Sequence, residues 1–330
     1  MKKSVLCSIS TRGRYDSTLP MTVQSVICQT RKPDKLVIFD DNDEPQDLRN
    51  HDVYRQMFPM LQSKGIDWVV VFGGKKGQHH NHQLANTMGY DWVWRLDDDT
   101  FAEPNVLATL CSYVSDDVGA IAGSVMTPSF TESFQPGVLA TGRISEIDNE
   151  YNPQWFERNS VLEVEHLHCS FLYRAGVHDY NLNLSRVAHR EETMFSHGLY
   201  RKGYRLLVVP NAVTWHLKMN GGGIRTDNRK KYYDFDEEVF QFFLRGQDCN
   251  VVVLDNGMGD HLIFKRLLGE IQNPMLFTCY PEILPGRSIA DAKDFFVDIG
   301  RWNLYQRMAD WRWNDSLENA FRKLYLGAKP

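Results

Sequence analysis

Short apolar segments alternate with amphipathic ones along the first part of the chain. SVLCSIS at 4–10, LVIFD at 36–40 and DWVVVF at 67–72 have the length and the β-branched content of buried strands. Between them, apolar residues fall at helical spacing, which predicts helices over 15–30 and 46–63. Strands separated by helices indicate βαβ units, and therefore an α/β fold with a mixed, mostly parallel sheet flanked by helices.

The pattern continues with less regular spacing to residue 216. We expect a helix over 78–88, an apolar strand from 91 that runs into three aspartates, and a helix over 103–115. Strands over 118–125 and 166–174 follow. An acid-led helix from 189 then precedes a strand that ends at His216. Residues 126–160 are rich in Pro, Gly, Ser and aromatic residues, and we expect them to be irregular.

A second, smaller unit is predicted near the end of the sequence. A helix over 235–245 precedes a fresh strand from 250, which leads into a G-x-G-D loop, an amphipathic helix and a second strand over 275–284. The remaining residues are helical by pattern and rich in Trp. We therefore predict a main domain over 1–245 and a small Rossmann-like and helical accessory module over 246–330.

Composition narrows the class of protein. The chain has 330 residues, of which 42% are hydrophobic and 24% charged, enough for one large domain or two modest ones. A net charge of −5 disfavours a nucleic-acid binder, because such proteins usually carry a basic field. The six cysteines are scattered without metal-ligand spacing, and no apolar run is long enough to span a bilayer. These features predict a soluble, cytoplasmic protein with reduced thiols and no membrane insertion.

Polar residues follow the first two predicted strands. The loop Thr11-Arg12-Gly13-Arg14 comes after the first strand, and Asp40 and Asp41 close the second. Ligands of open α/β sheets bind at the carboxyl ends of the parallel strands. Thr11, Arg12, Asp40 and Asp41 are therefore candidate ligand-binding residues.

Three consecutive acids, Asp97, Asp98 and Asp99, end the strand predicted from residue 91. Side chains alternate along a strand, so Asp97 and Asp99 point to one side in a D-x-D pattern and Asp98 to the other. Unpaired carboxylates beside a core cost roughly several kcal/mol, which favours a counter-ion. This spacing suits Mg²⁺ or Mn²⁺ carrying a diphosphate. The alternative is an acidic turn that caps a helix beginning near Glu103.

Two basic, glycine-rich segments point to an anionic ligand. The loop 73–77, with Lys76, precedes a predicted helix and favours phosphate, although no complete P-loop is present. His82 is the one histidine of that helix that we retain as a candidate. NGGGIRTDNRKK at 220–231 has the composition of a lid over an anionic substrate or, equally, of a solvated hairpin loop.

The order of these motifs resembles that of family 2 glycosyltransferases with the GT-A fold. The resemblance covers roughly residues 4–216 and rests on five motifs in sequence: Ser10-Thr11-Arg12, IFDDNDEP, a loose match of Gly77–Gln83 to G-x-x-x-x-R-N with His82 where arginine is commoner, WRLDDDT with Pro104 downstream, and EETMFSHGLYRKGYRLLVVPNAVTWH. It implies a GT-A catalytic domain that uses a nucleotide-diphosphate sugar, with a UDP-sugar favoured, and Mn²⁺ or Mg²⁺ as cofactor.

The resemblance also implies roles for individual residues. Asp99 would bind the metal together with Asp97 and His216, and Asp40 would accept a hydrogen bond from a uracil-type N–H. Thr11 and Arg12 would lie near the base or ribose. The full set implied for nucleotide and donor binding is Thr11, Arg12, Arg14, Asp40, Asp41, Lys76, His82, Asp97 and Asp98.

Glu191 and Glu192 stand where the family carries the acid pair that includes its catalytic base. Glu192 is favoured as the base that removes the acceptor's proton, with Glu191 second, and the reaction would then invert the anomeric configuration. The alternative is that both glutamates only favour the helix N-terminus through its dipole.

The acceptor is left open among a glycan, a protein, a small molecule and a modified DNA base, each of which presents a hydroxyl. Two other functions fit the pattern: a nucleotidyltransferase or sugar-nucleotide pyrophosphorylase, and a non-catalytic nucleotide-sugar-binding module. The strand and loop from residue 250 resemble the opening βα unit of family 9, heptosyltransferase-type glycosyltransferases. That piece is too short for a complete enzyme of this type, so we predict that it packs on the catalytic domain, helps to bind acceptor or forms a homo-oligomer.

Overall fold

The computed structural model describes residues 3–74, 76–126, 160–217, 221–223, 229–244, 251–255, 261–262 and 274–277. The chain divides into two compact units. The first contains Met1–Tyr180 and Glu191–Ile224, and the second contains Asn181–Arg190 and Arg225–Pro330. The domain boundary predicted between residues 245 and 246 lies outside the described residues and stays a prediction.

Four parallel strands form the first half of the main sheet. They are β1 (Val5–Thr11), β2 (Lys35–Asp40), β3 (Asp67–Phe72) and β4 (Trp92–Asp97), in the spatial order β3-β2-β1-β4. β1, β2 and β4 are buried over nearly their whole length, so their sequences are continuous apolar runs rather than alternating ones. The predicted parallel strands are confirmed.

Helices cover both faces of this half of the sheet. The connections contain α1 (Leu19–Ile27), α2 (Asp52–Ser63), α3 (Gln78–Asn86) and a 3₁₀ turn at Leu48–Asn50. α1 and α2 share one buried cluster with Ile9 and Ile38, whereas Ala85 of α3 packs in a second cluster with Leu6 and Val37. Alternate residues of the same strands thus supply the two clusters. The helices predicted in these connections are confirmed, with shorter ends.

The second half of the sheet is mixed. β8 (Phe171–Arg174), β6 (Val118–Met126) and β9 (Arg205–His216) follow β4 in space, and β5 (Thr100–Ala102) and β7 (Leu162–Val164) each pair with β9. β8 is antiparallel to both of its neighbours, and β6 is parallel to β9. The strands predicted at 118–125, at 166–174 and before His216 are confirmed, the second of them over its final part.

The helix predicted over 103–115 begins later than expected. Residues 100–102 pair with β9 as β5, and α4 spans only Val106–Ser112. The Glu103 N–H donates to the Val213 carbonyl oxygen at 3.0 Å. In the first turn of a helix this N–H would have no backbone partner, so pairing with β9 is favoured here. No acidic residue lies in the first turn of α4. The three aspartates therefore do not cap this helix.

A bulge in β9 positions the end of that strand. Between Gly123 and Ser124 of β6, the pairing skips three residues of β9, 210–212. The bulge brings β9 so close that a Cβ at Gly123 would lie 1.8 Å from the carbonyl oxygen of Ala212. Beyond the bulge, β9 continues to His216. The acid-led helix predicted from residue 189 is α5 (Glu191–Arg201).

The second unit is described in part. It contains α6 (Arg229–Leu244) and a small sheet in the order β11-β10-β12, formed by β10 (Val251–Asp255), β11 (His261–Leu262) and β12 (Pro274–Phe277). β10 and β12 are parallel, and residues 261–262 pair with β10 as the short antiparallel strand β11. The rest of the helix predicted after the G-x-G-D loop lies outside the described residues. Residues 229–231 of the predicted lid begin α6, and 224–228 lie outside the described residues. No described helix is long and apolar enough to cross a lipid bilayer.

Candidate active site

The carboxyl ends of β1, β2 and β4 bring the predicted polar residues to one edge of the sheet. In the parallel pairing, Thr11 lies beside Asp40, and Ser10 lies beside Asp97. The Asp41 N–H donates to the Thr11 carbonyl oxygen at 2.9 Å, which extends the ladder by one residue. The strand register therefore produces the convergence that the sequence predicts.

Asp98 ties the loop after β1 to the turn after β4. It accepts hydrogen bonds from the Thr11 hydroxyl at 2.8 Å, from the Arg12 N–H at 3.1 Å and from Arg14 Nη1 at 2.6 Å. Burial raises the pKa of Asp98 to about 6; the Arg14 guanidinium opposes this rise, and the neighbouring Asp99 adds to it. All of these contacts are within the protein, so Asp98 serves to hold the site together.

Asp99 faces both a guanidinium and an imidazole. Its Oδ2 lies 2.7 Å from Arg14 Nη1 and 3.2 Å from His216 Nε2. His216 reaches Asp99 because it pairs with Thr100 at the end of β9. The Leu217 N–H also donates to the Asp99 carbonyl oxygen at 2.6 Å. The two predicted metal ligands, Asp99 and His216, are thus neighbours, with Arg14 on the same carboxylate oxygen.

Asp97 is the most accessible of the three acids, with 24% of its side chain exposed. It lies 3.5 Å from Arg95 Nη2, and its Oδ2 accepts a hydrogen bond from Cys169 Sγ at 3.1 Å. Burial by itself raises the pKa of Asp97, but the Arg95 charge and the Cys169 hydrogen bond outweigh it and lower the pKa to about 2. Asp97 is therefore an ionised carboxylate that a ligand can reach.

Asp40 binds its own loop. Oδ1 accepts from the Asn42 N–H at 2.9 Å, and Oδ2 accepts from the Gln46 N–H at 2.9 Å and from the Tyr15 hydroxyl. The side chain is fully buried. These bonds fix the loop 41–46 at the end of β2, and a contact between Asp40 and a nucleotide base would replace one of them.

Arg12 and the glycine loop are both tied to the end of β2. Arg12 Nη1 donates to the Asp41 carbonyl oxygen at 2.6 Å, and its guanidinium pairs with Asp43. Asp41 Oδ2 accepts from the Gly77 N–H at 3.1 Å, while Lys76 is exposed. Basic side chains therefore border the strand ends from two loops.

His82 is buried in the interior of the first unit. It is 1% exposed, its Nδ1 is 3.3 Å from Ser8 Oγ, and its ring stacks on Tyr180. Burial lowers the pKa of His82 well below its usual value, so the imidazole is neutral. This placement follows from α3, which packs this residue against β1.

Glu191 is part of a buried ion pair. Arg95 Nη2 and Nη1 donate to its two carboxylate oxygens at 2.7 and 2.9 Å, and Gln78 Nε2 donates at 3.0 Å. Burial raises the pKa of Glu191, and the Arg95 charge opposes that rise. The side chain is fully buried. Glu191 therefore joins the start of α5 to β4 and has no surface for a substrate.

Glu192 has a different environment, because successive helical residues point about 100° apart. Its side chain is 14% exposed, and Oε1 lies 2.9 Å from His168 Nδ1. Burial alone raises the pKa of Glu192, but the hydrogen bond and charge of His168 lower it to about 2. Of the two predicted candidates for the base, Glu192 is the accessible one.

Two functional partners, Arg95 and His168, were not predicted from the sequence. Arg95 has a recognisable signal: it is an arginine inside a buried strand, two residues before Asp97 and hence on the same face. A buried arginine requires an acidic partner, and the later acid pair supplies it. His168 has no comparable local signal, because its pairing with Glu192 depends on tertiary structure.

The donor types fit a divalent cation. Asp99 and His216 offer a carboxylate and an imidazole 3.2 Å apart, with 8% and 20% of their side chains exposed. Among the described residues, no group of three or more His, Cys, Asp or Glu side chains is arranged to hold a metal. Mg²⁺ is commonly held by one or two carboxylates together with substrate phosphates, so two protein ligands suit an ion that arrives with a diphosphate.

Solved structures share this fold. TarS from S. aureus, in complex with UDP-GlcNAc, aligns with a TM-score of 0.51 at 12% identity, over 75% of this chain and 68% of the TarS chain. GalNAc-T7 with UDP, GalNAc and Mn2+ aligns with a TM-score of 0.51 at 15% identity, over 94% of this chain and 57% of that chain. At these identities the likeness concerns the fold, and it confirms the predicted GT-A architecture.

Sequence comparison gives the family. The chain is 33% identical over 109 residues to galactofuranosyltransferase GlfT1 of Mycolicibacterium smegmatis (strain ATCC 700084 / mc(2)155), and the match spans about a third of each protein. Residues 8–180 match the family described as Glycosyl transferase family 2. Residues 250–284 lie outside that match, and their resemblance to family 9 stays a prediction. The matched segment is more than half of the chain and contains the end of β1, all of β2 to β4 and the three aspartates, so the chain belongs to Glycosyl transferase family 2.

Proposed function

We propose that this family 2 glycosyltransferase transfers a sugar from a UDP-sugar to an acceptor hydroxyl, with inversion at the anomeric carbon and with Mn²⁺ or Mg²⁺ as cofactor. One observation carries the proposal. Asp97 and Glu192 lie on either side of a single turn, since Cys169 binds Asp97 and the preceding residue, His168, binds Glu192. The acid proposed to bind the donor and the acid proposed as base are thus bound by successive residues of one turn, which supports the proposal.

The strand ends would bind the donor. Arg12 and Arg14, with the exposed Lys76, offer positive charge to a diphosphate. Asp97 is ionised and accessible, so it suits hydroxyl groups of the sugar or ribose. Thr11, Asp40 and Asp41 hold the surrounding loops in place through the hydrogen bonds described above.

Asp99 and His216 would hold the divalent cation. When bound, such an ion stabilises the negative charge that develops on the departing nucleoside diphosphate. Arg14 contacts the same oxygen of Asp99 and therefore supplies fixed positive charge to the same part of the site.

Glu192 would act as the general base. Its carboxylate accepts the proton of the acceptor hydroxyl while the hydroxyl oxygen bonds to the anomeric carbon. The bond from that carbon to the diphosphate breaks, and its electron pair leaves with the diphosphate. A single displacement of this kind inverts the configuration. Glu191 is unsuited to this role because Arg95 binds both of its oxygens in the interior.

The names of the similar proteins support a UDP-sugar donor and Mn²⁺ for this chain. TarS was solved with UDP-GlcNAc and GalNAc-T7 with UDP and Mn2+, while GlfT1 is named a galactofuranosyltransferase. The sugar that each of those proteins uses and its acceptor are not assigned to this chain. Whether this chain transfers a hexose or a pentose is left open. A cytoplasmic location and self-association through residues 246–330 are retained as predictions.

The test is UDP release from a panel of UDP-GlcNAc, UDP-GalNAc, UDP-glucose and UDP-galactofuranose, with Mn²⁺ and with EDTA. We expect release from at least one donor with Mn²⁺ only. Glu192→Gln keeps the shape of the side chain but not its basicity, and should lower the rate on the fastest donor by at least about 100-fold. UDP affinity, measured by calorimetry, should change less than about twofold.

Glu163→Gln is the matched control, because Glu163 is an exposed glutamate that pairs with Arg205 on the surface. Its UDP release should equal that of the wild type. A Glu192→Gln enzyme that retains its rate, or that loses UDP binding to the same extent as its rate, would contradict the assignment of the base.

A further inference from the structure

The turn that contains His168 is rigidly held. It connects β7 to β8, and Cys169 adopts a left-handed backbone conformation with a φ of 61°. This conformation is uncommon for a residue other than glycine and persists only where the surroundings enforce it. The position of His168 is therefore determined by neighbouring structure rather than by the local sequence.

Helix α5 enforces one side of this turn. The Leu167 N–H donates to Ser196 Oγ at 2.8 Å, and Ser196 Oγ lies 2.7 Å from the carbonyl oxygen of Glu192. The next residue of the helix, His197, has its Nδ1 2.8 Å from the Glu165 carbonyl oxygen. The turn of α5 that follows Glu192 is thus attached to the segment that presents His168.

The strand-end acids hold the other side. Cys169 Sγ donates to Asp97 Oδ2 at 3.1 Å, and the Asp97 N–H donates to Ser170 Oγ at 3.4 Å. Three consecutive residues therefore span the distance between the donor acid and the helix that carries Glu192. Such a bridge fixes His168 relative to both.

The partner of Glu192 differs in kind from the partners of the other acids. Glu191 is bound by the guanidinium of Arg95, and Asp98 and Asp99 are bound by that of Arg14. A guanidinium presents several donors in one plane and can bind both oxygens of a carboxylate, as Arg95 does with Glu191. An imidazole nitrogen makes a single hydrogen bond, so it orients a carboxylate through one oxygen.

We propose that His168 is the positioning residue of the catalytic base: its Nδ1–H donates to Oε1 of Glu192 and leaves Oε2 for the proton of the acceptor. The inference rests on the proposed function of Glu192. It assigns a role to a side chain that is itself 30% exposed and lies at the same accessible surface as Glu192. His168 need not contact the substrate.

A double-mutant cycle on UDP release tests this role with the donor that the wild type uses fastest. His168→Phe removes the hydrogen bond to Glu192 and should lower kcat on the order of tenfold to a hundredfold. The KM for the sugar donor and the affinity for UDP should stay within about twofold of the wild type. His168→Asn places an amide nitrogen near the position of Nδ1 and should recover most of the rate. In the Glu192→Gln background, His168→Phe should have no further effect, because the residues act as a unit.

The matched control is His178→Asn. His178 lies against Phe195 of the same helix, with ring centroids 5.8 Å apart, and should keep the wild-type rate. Three results would each overturn the proposal. His168→Phe could lose no more activity than the control, the losses could add in the double variant, or UDP affinity could fall as much as kcat.

Nitrogen NMR of histidine-labelled protein tests the pair independently of turnover. His168 should show the Nδ1–H tautomer in the wild type and the Nε2–H tautomer in Glu192→Ala. An unchanged tautomer would refute the pairing whatever the enzyme's activity. A wild type that releases UDP from no donor would instead contradict the proposed function, so the two failures are distinguishable.

Discussion

At the scale of single residues, the partner of each acid determines what that acid can do. Arg14 binds Asp98 and Asp99, and Arg95 binds Glu191. Asp97 and Glu192 keep accessible surface and lie on either side of the turn at 168–170. Five acids with similar intrinsic chemistry thus differ in burial and in charged partners because of their neighbours, and the roles proposed for them follow those differences.

Arg14 should compete with a divalent cation at Asp99. Its guanidinium lies 2.7 Å from the carboxylate oxygen, and both side chains are largely buried, so the attraction is weakly screened. We expect Arg14→Met to tighten Mn²⁺ binding without nucleotide by about tenfold, or about 1.4 kcal/mol. Titration followed by electron paramagnetic resonance measures this. Arg31→Met, which removes an arginine bound to the Lys3 carbonyl oxygen, serves as the control. Weaker Mn²⁺ binding by Arg14→Met would show that Arg14 supports the metal site instead.

At the scale of elements, strand pairing brings Asp99 and His216 together. β9 continues beyond the bulge at 210–212, and its last residue, His216, pairs with Thr100 of β5. Ser124 Oγ donates to the Pro210 carbonyl oxygen at 2.6 Å, so the bulge leaves this buried acceptor satisfied.

Gly123→Ala should disrupt this bulge. An added Cβ would meet the backbone of Ala212, which cannot rotate away as a side chain can. We expect the free energy of unfolding to fall by about 3 kcal/mol, at the upper end for an overpacked core. Chemical denaturation measures it, with Gly221→Ala as the control, because a Cβ at that exposed glycine contacts nothing within 4 Å. Equal stability of the two variants would mean that the sheet accommodates the methyl group.

At the scale of the whole molecule, family membership decides among the functions that the sequence leaves open. Residues 8–180 match a glycosyltransferase family. This match favours a glycosyltransferase over a pyrophosphorylase and over a binding module without activity. The solved structures that resemble this chain share its fold.

Ligand-dependent stability tests the site in the intact chain. UDP with Mn²⁺ at about 100 times the dissociation constant should stabilise the folded state by about 2.7 kcal/mol, which raises Tm by several degrees. UDP with EDTA should give a smaller shift. Asp99→Asn should remove the Mn²⁺-dependent part of the shift and retain the rest. A shift that is the same with Mn²⁺ and with EDTA would contradict metal-assisted binding of the diphosphate.

The sequence by itself determines the strands, most helices and the edge of the sheet at which the polar residues meet. These features depend on hydrophobic periodicity and on parallel pairing, both of which are readable locally. The predicted places of Asp97, Asp99 and Glu192 follow from them.

Only the tertiary structure decides how these groups are paired. The two glutamates at the start of α5 are adjacent in sequence, and their burial depends on how the helix is rotated against β4. His216 meets Asp99 through the pairing of β9 with β5, His82 turns inward with α3, and β5 displaces the start of α4. Each depends on contacts between residues far apart in the chain, because packing and strand register, not local propensity, set the partners of a side chain.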